Sequence, residues 1–355
     1  MFTAEEKASS EGLGKASRKK KSRVTIIAVI TAVIMIIGAT TWLIARSTPN
    51  PFEPPPGYIE HTTIWIGGNS YFTSDNGVVG GDGTAADPYI IAGWCIRTSI
   101  LWDGAVAGIQ IANVNAHFIV RDCYISTSSS NRDWGIYLTD CVNGTLEGNN
   151  CSGNQYGMRL DFSSNIMIRN NSCFSNYCGI ELSRGSTDNT VINNTCSDCW
   201  YGISLESSRN TLMNNTCISN NLHGIYVRYS SDENTLRNNT CSWNRGTGMD
   251  FHVSSSDTVS DNVCSSNGWY GISFDLWCNN SYVSGNVCNL NGEDGIRLRS
   301  SSNNTLTDNY LDSNNHSGIS LSKILLEFSC IGNEMTWSDS DSVTGKSPSL
   351  YRGSR

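Results

Sequence analysis

A glycine followed by isoleucine or methionine recurs ten times in this chain, at Gly108, Gly135, Gly157, Gly179, Gly202, Gly224, Gly248, Gly271, Gly295 and Gly318. After a first step of 27, every step is 22–24 residues. A period this regular makes each unit one supersecondary piece that stacks on its neighbours. A second column runs in phase through Asn149, Asn171, Asn194, Asn215, Asn239, Asn262, Asn286 and Asn309, and is extended here to Asn333. Two residues further on, a third column reads Cys151, Cys173, Cys196, Cys217, Cys241, Cys264 and Cys288, then Leu311 and Met335.

Each unit alternates. GISLE, GIYVR, GMDFH, GISFD and GIRLR place apolar residues at every second position, the strand period. A second apolar position follows at Ile168, Val191, Leu212, Leu236, Val259, Val283 and Leu306. The rest of each unit is Asn, Ser and Gly, which compete with or weaken helices. Short strands, polar turns and a period near 23 predict an all-β fold, a single-stranded parallel β-helix of about ten coils. Stacked coils lie about 4.8 Å apart. The Asn column is then an inward ladder of amides at a bend. The Cys column is a core row, because a free thiol packs as a small hydrophobe. Disulfides between coils are the weaker alternative, since in-register Cβ atoms about 4.8 Å apart exceed the usual ~3.8 Å. Off-column Cys123, Cys141, Cys178, Cys199 and Cys278 remain open to pairing.

The first residues differ in kind. Lys15, Arg18, Lys19, Lys20, Lys21 and Arg23 precede 22 uncharged residues, VTIIAVITAVIMIIGATTWLIA. This predicts a basic cytoplasmic tail (1–23) and a transmembrane helix (24–45), with the bulk of the chain outside the cell. A cleaved signal peptide is the alternative. A Pro-rich linker (46–60), an N-terminal cap (61–107), the repeats (108–335) and a low-complexity tail (336–355) complete the division. Eight of the 24 Lys/Arg and three of the 32 Asp/Glu fall in residues 1–46, leaving a net −13 beyond them. An acidic exterior without a basic footprint excludes nucleic acid as a partner.

The repeat resembles the right-handed parallel β-helix superfamily, the pectin-lyase-like fold. More narrowly, HTTIWIGGNSYFTSDNGVVGGDGTAADPYIIAGWCI (61–96) and AHFIVRDCYI (116–125) are similar to NosD-type β-helix proteins, especially membrane-anchored archaeal ones. The likeness covers roughly residues 61–335. It implies shape more than activity, because the superfamily includes polysaccharide lyases, hydrolases, epimerases, copper-site maturation factors and inert surface proteins.

Strand alternation brings outward side chains into two rows after each Gly-Ile. Tyr226, Arg228, Asp250, His252 and Asp275 fall on three successive coils, which makes them the catalytic candidates: two carboxylates with a histidine and an arginine beside them. The plainer reading is that alternating charges stabilise adjacent strands. Neither the Asp-Asp and Gly-His-Gly signatures of polygalacturonase-like hydrolases nor a lyase-type basic cluster is present. Trp134, Tyr156, Trp200, Tyr201, Trp243, Trp269, Tyr270 and Trp277 sit at turns, where rings either stack on sugars or shield the loops. Sequons begin at Asn143, Asn150, Asn170, Asn193, Asn214, Asn238, Asn279, Asn303 and Asn315. The five histidines are scattered and no MxxM cluster occurs, so no metal site is predicted; Asp75, Asp82 and Asp87 in the cap are a possible Ca²⁺ set, with turn capping the favoured reading. The expected role is a surface binding or structural module, with glycans or other cell-envelope components as partners. A carbohydrate-active enzyme is the alternative and an accessory factor for metal-enzyme maturation the third.

Overall fold

The computed structural model describes residues 57–98, 107–127, 134–322 and 333–336. The basic tail, the apolar span, most of the Pro-rich linker and the C-terminal tail lie outside the described residues. Within them no helix is long and apolar enough to cross a membrane. They form an all-β solenoid of about nine turns. One turn runs through Cys178–Ser183, Thr190–Ile192 and Thr195–Ser197 before Tyr201–Leu205 begins the next. Each part of the turn stacks on its equivalents, giving parallel sheets of 11, 12 and 7 strands.

The glycine column has a steric cause. A Cβ on Gly157 would lie 2.5 Å from the carbonyl oxygen of Gly179, and one on Gly179 would lie 2.5 Å from that of Gly202. Successive coils approach too closely there for any side chain. The following alternate residues point inward and stack in register, as Ile180 on Ile203 and Leu182 on Leu205 do. They are fully buried, as are Phe251 and Phe274, whose rings stack 4.6 Å apart.

The asparagine ladder is present from Asn149 to Asn309. Each main-chain N–H donates to the Oδ1 of the next ladder residue, at 2.8–3.0 Å. The Asn215 Nδ2 also donates backward to the carbonyl of Val191 at 2.8 Å. At this bend the residue before each rung takes the left-handed conformation, φ 56° at Asn214 and 64° at Gly148. The predicted bend chemistry therefore splits between neighbours: the first Asn of each pair turns the chain and the second satisfies the backbone.

Asn333 does not continue this ladder. Its Oδ1 accepts from the Asn304 N–H, 2.8 Å, and Met335 pairs with Leu306 rather than following Cys288 and Leu311. The step from Asn304 to Asn333 is 29 residues, longer than the repeat, so counting by the period misplaces both. They belong to a ladder at a different bend, formed by Asn189, Asn210, Asn234, Asp257, Ser281 and Asn304. The third bend carries another, Asn154, Asn176, Cys199, Asn220, Asn244, Asn267, Asn291 and Asn314.

Cys173, Cys196 and Cys217 stack in register as a core row. All 13 described cysteines are free thiols and buried, including Cys123, Cys141, Cys178, Cys199 and Cys278. No disulfide joins the coils among the described residues.

The cap closes the N-terminal end. Ile59–His61 already pairs with Trp94–Thr98, so the first strand begins inside the segment read as linker. Val78–Gly80 runs antiparallel to Tyr89–Ala92, reversing the direction of pairing at the edge of the stack. In the turn between them Asp82 accepts from the Thr84 N–H at 3.0 Å and Thr84 Oγ1 accepts from the Asp87 N–H at 3.1 Å. Asp75 lies in a separate 3₁₀ turn, Ser74–Asn76. Of the three aspartates, Asp82 thus caps a turn with its side chain.

Candidate functional site

The outward face of the 11-stranded sheet carries the candidate site. Along it Arg159, Glu181, Ser204, Tyr226, Asp250, Ser273 and Arg297 form one in-register row. Arg228, His252, Asp275 and Arg299 belong to the next. Alternation places all of these outward, as expected from the sequence.

The contacts divide them differently. Asp275 forms an ion pair with Arg299. Arg228 pairs with Glu206 at 2.5 Å and lies 3.9 Å from Glu181. His252 makes no hydrogen bond or ion pair with a described residue. The imidazole that meets Asp250 is instead His223, with Nε2 3.5 Å from Oδ2. The five predicted residues are thus neighbours on one face but not one constellation, and His223 replaces His252 beside the aspartate.

The His223 tautomer follows from its partners. Nδ1 accepts from the Thr247 N–H at 3.2 Å, so Nε2 carries the proton and faces Asp250. Burial pulls the imidazole down to about 4, keeping it neutral at physiological pH. Burial pushes Asp250 up to about 7, an effect that Ser273 partly opposes. Tyr226, in register with Asp250, is pushed up to about 12 by burial.

A second cluster lies on earlier coils, around Arg159 and Glu181. Arg159 Nε donates to Asp161 Oδ1 at 3.0 Å, and the same guanidinium pairs with Glu181. Ser183 Oγ donates to Asp161 at 2.8 Å and Tyr137 OH donates to it at 3.2 Å. Glu181 is 3% exposed, and burial pushes its carboxyl up to about 7 against the pull of Arg159 and Arg228. These residues stood in the outward rows of the sequence, but nothing in their spacing distinguished paired from unpaired charges.

Beside the charges runs a chain of rings. Tyr137 and Trp134 lie 4.2 Å apart, Trp134 and Tyr156 6.4 Å, Tyr156 and Tyr177 6.1 Å, and Tyr177 and Tyr201 5.7 Å. Tyr201 stacks on Tyr226 at 5.2 Å, and His223 links the chain to Trp269 at 5.9 Å. The Arg159 guanidinium lies over Tyr156, 4.9 Å from its centroid, a cation–π contact. Of the predicted turn aromatics, Trp134, Tyr156, Tyr201 and Trp269 join this stripe. Trp200, Trp243 and Trp277 are exposed, while Tyr270 holds Arg297 at 4.7 Å. Three polar atoms within the face are buried without a hydrogen-bond partner among the described residues: Trp134 Nε1, Ser204 Oγ and Arg228 Nε.

Among the described residues no three His, Cys, Asp or Glu side chains converge as a metal-ligand set. Asn143, Asn170, Asn193, Asn214, Asn238, Asn303 and Asn315 are exposed, while Asn150 and Asn279 are half-buried.

A family model described as periplasmic copper-binding protein (NosD) matches residues 95–257, and one described as right-handed beta helix region matches residues 201–324. This chain belongs to the right-handed parallel β-helix superfamily. No curated protein matches it in sequence. Among solved structures, this β-helix is similar to the Dettilon tailspike protein, at 16% identity and TM-score 0.56, covering 78% of this chain and 61% of that one. It also matches the periplasmic alginate epimerase AlgG at 12% identity and TM-score 0.49, covering 70% and 78%. An alginate lyase from Paenibacillus sp. matches at 13% identity and TM-score 0.47, covering 74% and 98%. At such identities these β-helices share shape alone. The cysteines, donors that copper would favour, are core thiols sealed from solvent, and burial holds Cys151 and Cys217 well above the ordinary thiol range. A metal binds the thiolate, so these cysteines do not fit a solvent-delivered copper ion.

Proposed function

We propose that this β-helix is an extracytoplasmic binding module for polysaccharide, held at the membrane by the apolar span 24–45. The observation that carries the reading is the aromatic stripe from Trp134 to Trp269 alongside a row of arginines and carboxylates. Rings offer flat apolar faces to sugar rings, and the neighbouring charges supply hydrogen bonds to hydroxyls. Between Trp134–Cys141 and Met249–His252 the face spans five strand spacings, roughly 24 Å, the length of an oligosaccharide rather than one sugar. Arg159, Arg228 and Arg299 are already paired with carboxylates, which favours recognition over bond cleavage. The periplasmic character of the NosD family supports the extracytoplasmic placement.

A carbohydrate-active enzyme is the second reading. It rests on the oriented His223–Asp250 pair and on two carboxyls, Glu181 and Asp250, poised near neutrality, where proton transfer is efficient. One experiment separates the two. The full chain is incubated with neutral and uronic-acid polysaccharides, and polymer retention and size are followed together. The binding reading expects retention without shortening, weakened about tenfold by Tyr177→Ala, equivalent to about 1.4 kcal/mol. Shortening that is lost in Asp250→Asn establishes the enzyme instead. Absence of both retention and shortening removes polysaccharide as the ligand.

A further inference from the structure

The bend between the 12-stranded and 7-stranded sheets holds a correlation that folding alone does not require. Ten residues there occupy equivalent positions with positive φ, from Gly93 to Asp308. Four are asparagines on consecutive coils: Asn170, Asn193, Asn214 and Asn238. The others are glycine or aspartate, which adopt the same conformation. Two residues later the chain enters the next strand at a position that stacks through all these coils. After each of the four asparagines that position holds a hydroxyl: Ser172, Thr195, Thr216 or Thr240. After the six glycines and aspartates neither serine nor threonine stands there; Cys, Tyr, Asn or Val does instead.

The bend ahead of the 12-stranded sheet provides the control. There Thr145, Thr190, Thr211, Thr235, Thr258 and Thr305 enter the strand at one register, yet the left-handed residue two before them is Asp, Arg, Glu or Ser in four cases and asparagine in two, Asn143 and Asn303. A strand-entry threonine therefore imposes no asparagine, and a left-handed bend imposes no threonine. At the first bend the two come together on every coil that has either. Neither is used by the fold: the four asparagines are exposed, and neither their amides nor the four hydroxyls have a side-chain hydrogen bond among the described residues.

We propose that Asn170, Asn193, Asn214 and Asn238 are a row of N-glycosylation sites, stacked about 4.8 Å apart along one edge of the β-helix. In the modification each Nδ2 forms a bond to the anomeric carbon of an activated oligosaccharide. The bond from that carbon to its phosphate leaving group breaks, and the amide proton passes to a base. The sites lie on a bend, away from the outward face of the 11-stranded sheet, so this proposal stands or falls apart from the polysaccharide reading.

The test is glycopeptide mass spectrometry of the full chain recovered from the membranes of its own cells. Hexose-containing additions on peptides bearing these four asparagines are expected. Recovery of all four peptides unmodified overturns the proposal. Thr195→Val, Thr216→Val and Thr240→Val are matched variants, because valine already fills that position at Val263 and Val287. Each should lose the addition at the asparagine two residues before it while the far-ultraviolet circular dichroism stays unchanged. An addition that persists in these variants would overturn the assignment equally.

Discussion

Two bends of this β-helix solve one problem with different thoroughness. At the bend between the 12-stranded and 7-stranded sheets, eight asparagines from Asn149 to Asn309 stack without interruption, each amide tied to the next coil and to the coil before. At the bend ahead of the 12-stranded sheet the ladder is broken: Asp257 and Ser281 stand where Asn234 and Asn304 have their counterparts. An amide carries both donor and acceptor, so it serves two coils at once. A carboxylate has lost the donor.

Hydrogen counting shows what the broken ladder demands. Asp257 Oδ1 accepts from the Asn234 N–H at 2.9 Å. Ser254 Oγ lies 2.6 Å from Asp257 Oδ2 and 2.5 Å from the Ser231 carbonyl oxygen, but it has a single hydrogen. Both contacts are satisfied only if Asp257 is protonated, donating to Ser254 while Ser254 donates to Ser231. Burial pushes this carboxyl up to about 7, in the same sense. The aspartate thus imitates an asparagine as long as it stays neutral.

The comparison can be broken most severely in the intact ladder. Asn215→Ala strands the Asn194 N–H and amide and the Val191 carbonyl, all buried. At roughly 1–3 kcal/mol per unmet group the loss should be about 4 kcal/mol, read from denaturant unfolding. A loss below about 1 kcal/mol would mean the ladder is dispensable. Asp257→Asn should act in the opposite direction and depend on pH. Because the folded carboxyl titrates near 7 and the unfolded one near 4, the native protein loses stability as pH rises from about 4 to 7. The variant lacks that loss, so its advantage should be near zero at pH 4 and grow to about 4 kcal/mol at pH 8. A constant difference across that window would show Asp257 to be ionised in the fold. The smallest effect belongs to Ser281→Asn, which restores a rung and should stabilise by about 0.5–1 kcal/mol, visible as a higher unfolding midpoint.

The same contrast explains what could be read from the sequence. The unbroken ladder repeats one residue type at one spacing and was visible as a column. The other two were present in the same letters, Asn220 five residues after Asn215 and Asn210 five before it, yet Cys199, Asp257 and Ser281 interrupt them. Their equivalence appears only when coils are stacked. The site shows the same boundary. Alternation after Gly224 identified Tyr226 and Arg228 as outward, but His223 precedes that glycine and Tyr177 precedes Gly179. Both lie outside the alternating window, and both are central to the assembled face. Which arginine meets which carboxylate depends on side-chain reach across coils, and strand period carries no record of it.

The row of core cysteines carries a consequence for how the chain is made. In an oxidising compartment, 14 thiols on an unfolded chain are 14 opportunities for a wrong crosslink. Once the coils stack, burial holds thiols such as Cys151 and Cys217 protonated, and a protonated thiol is a poor nucleophile. Maturation is therefore a race between winding and oxidation. Each coil that closes removes its own cysteine from the contest, so the order of winding decides which thiols are still at risk.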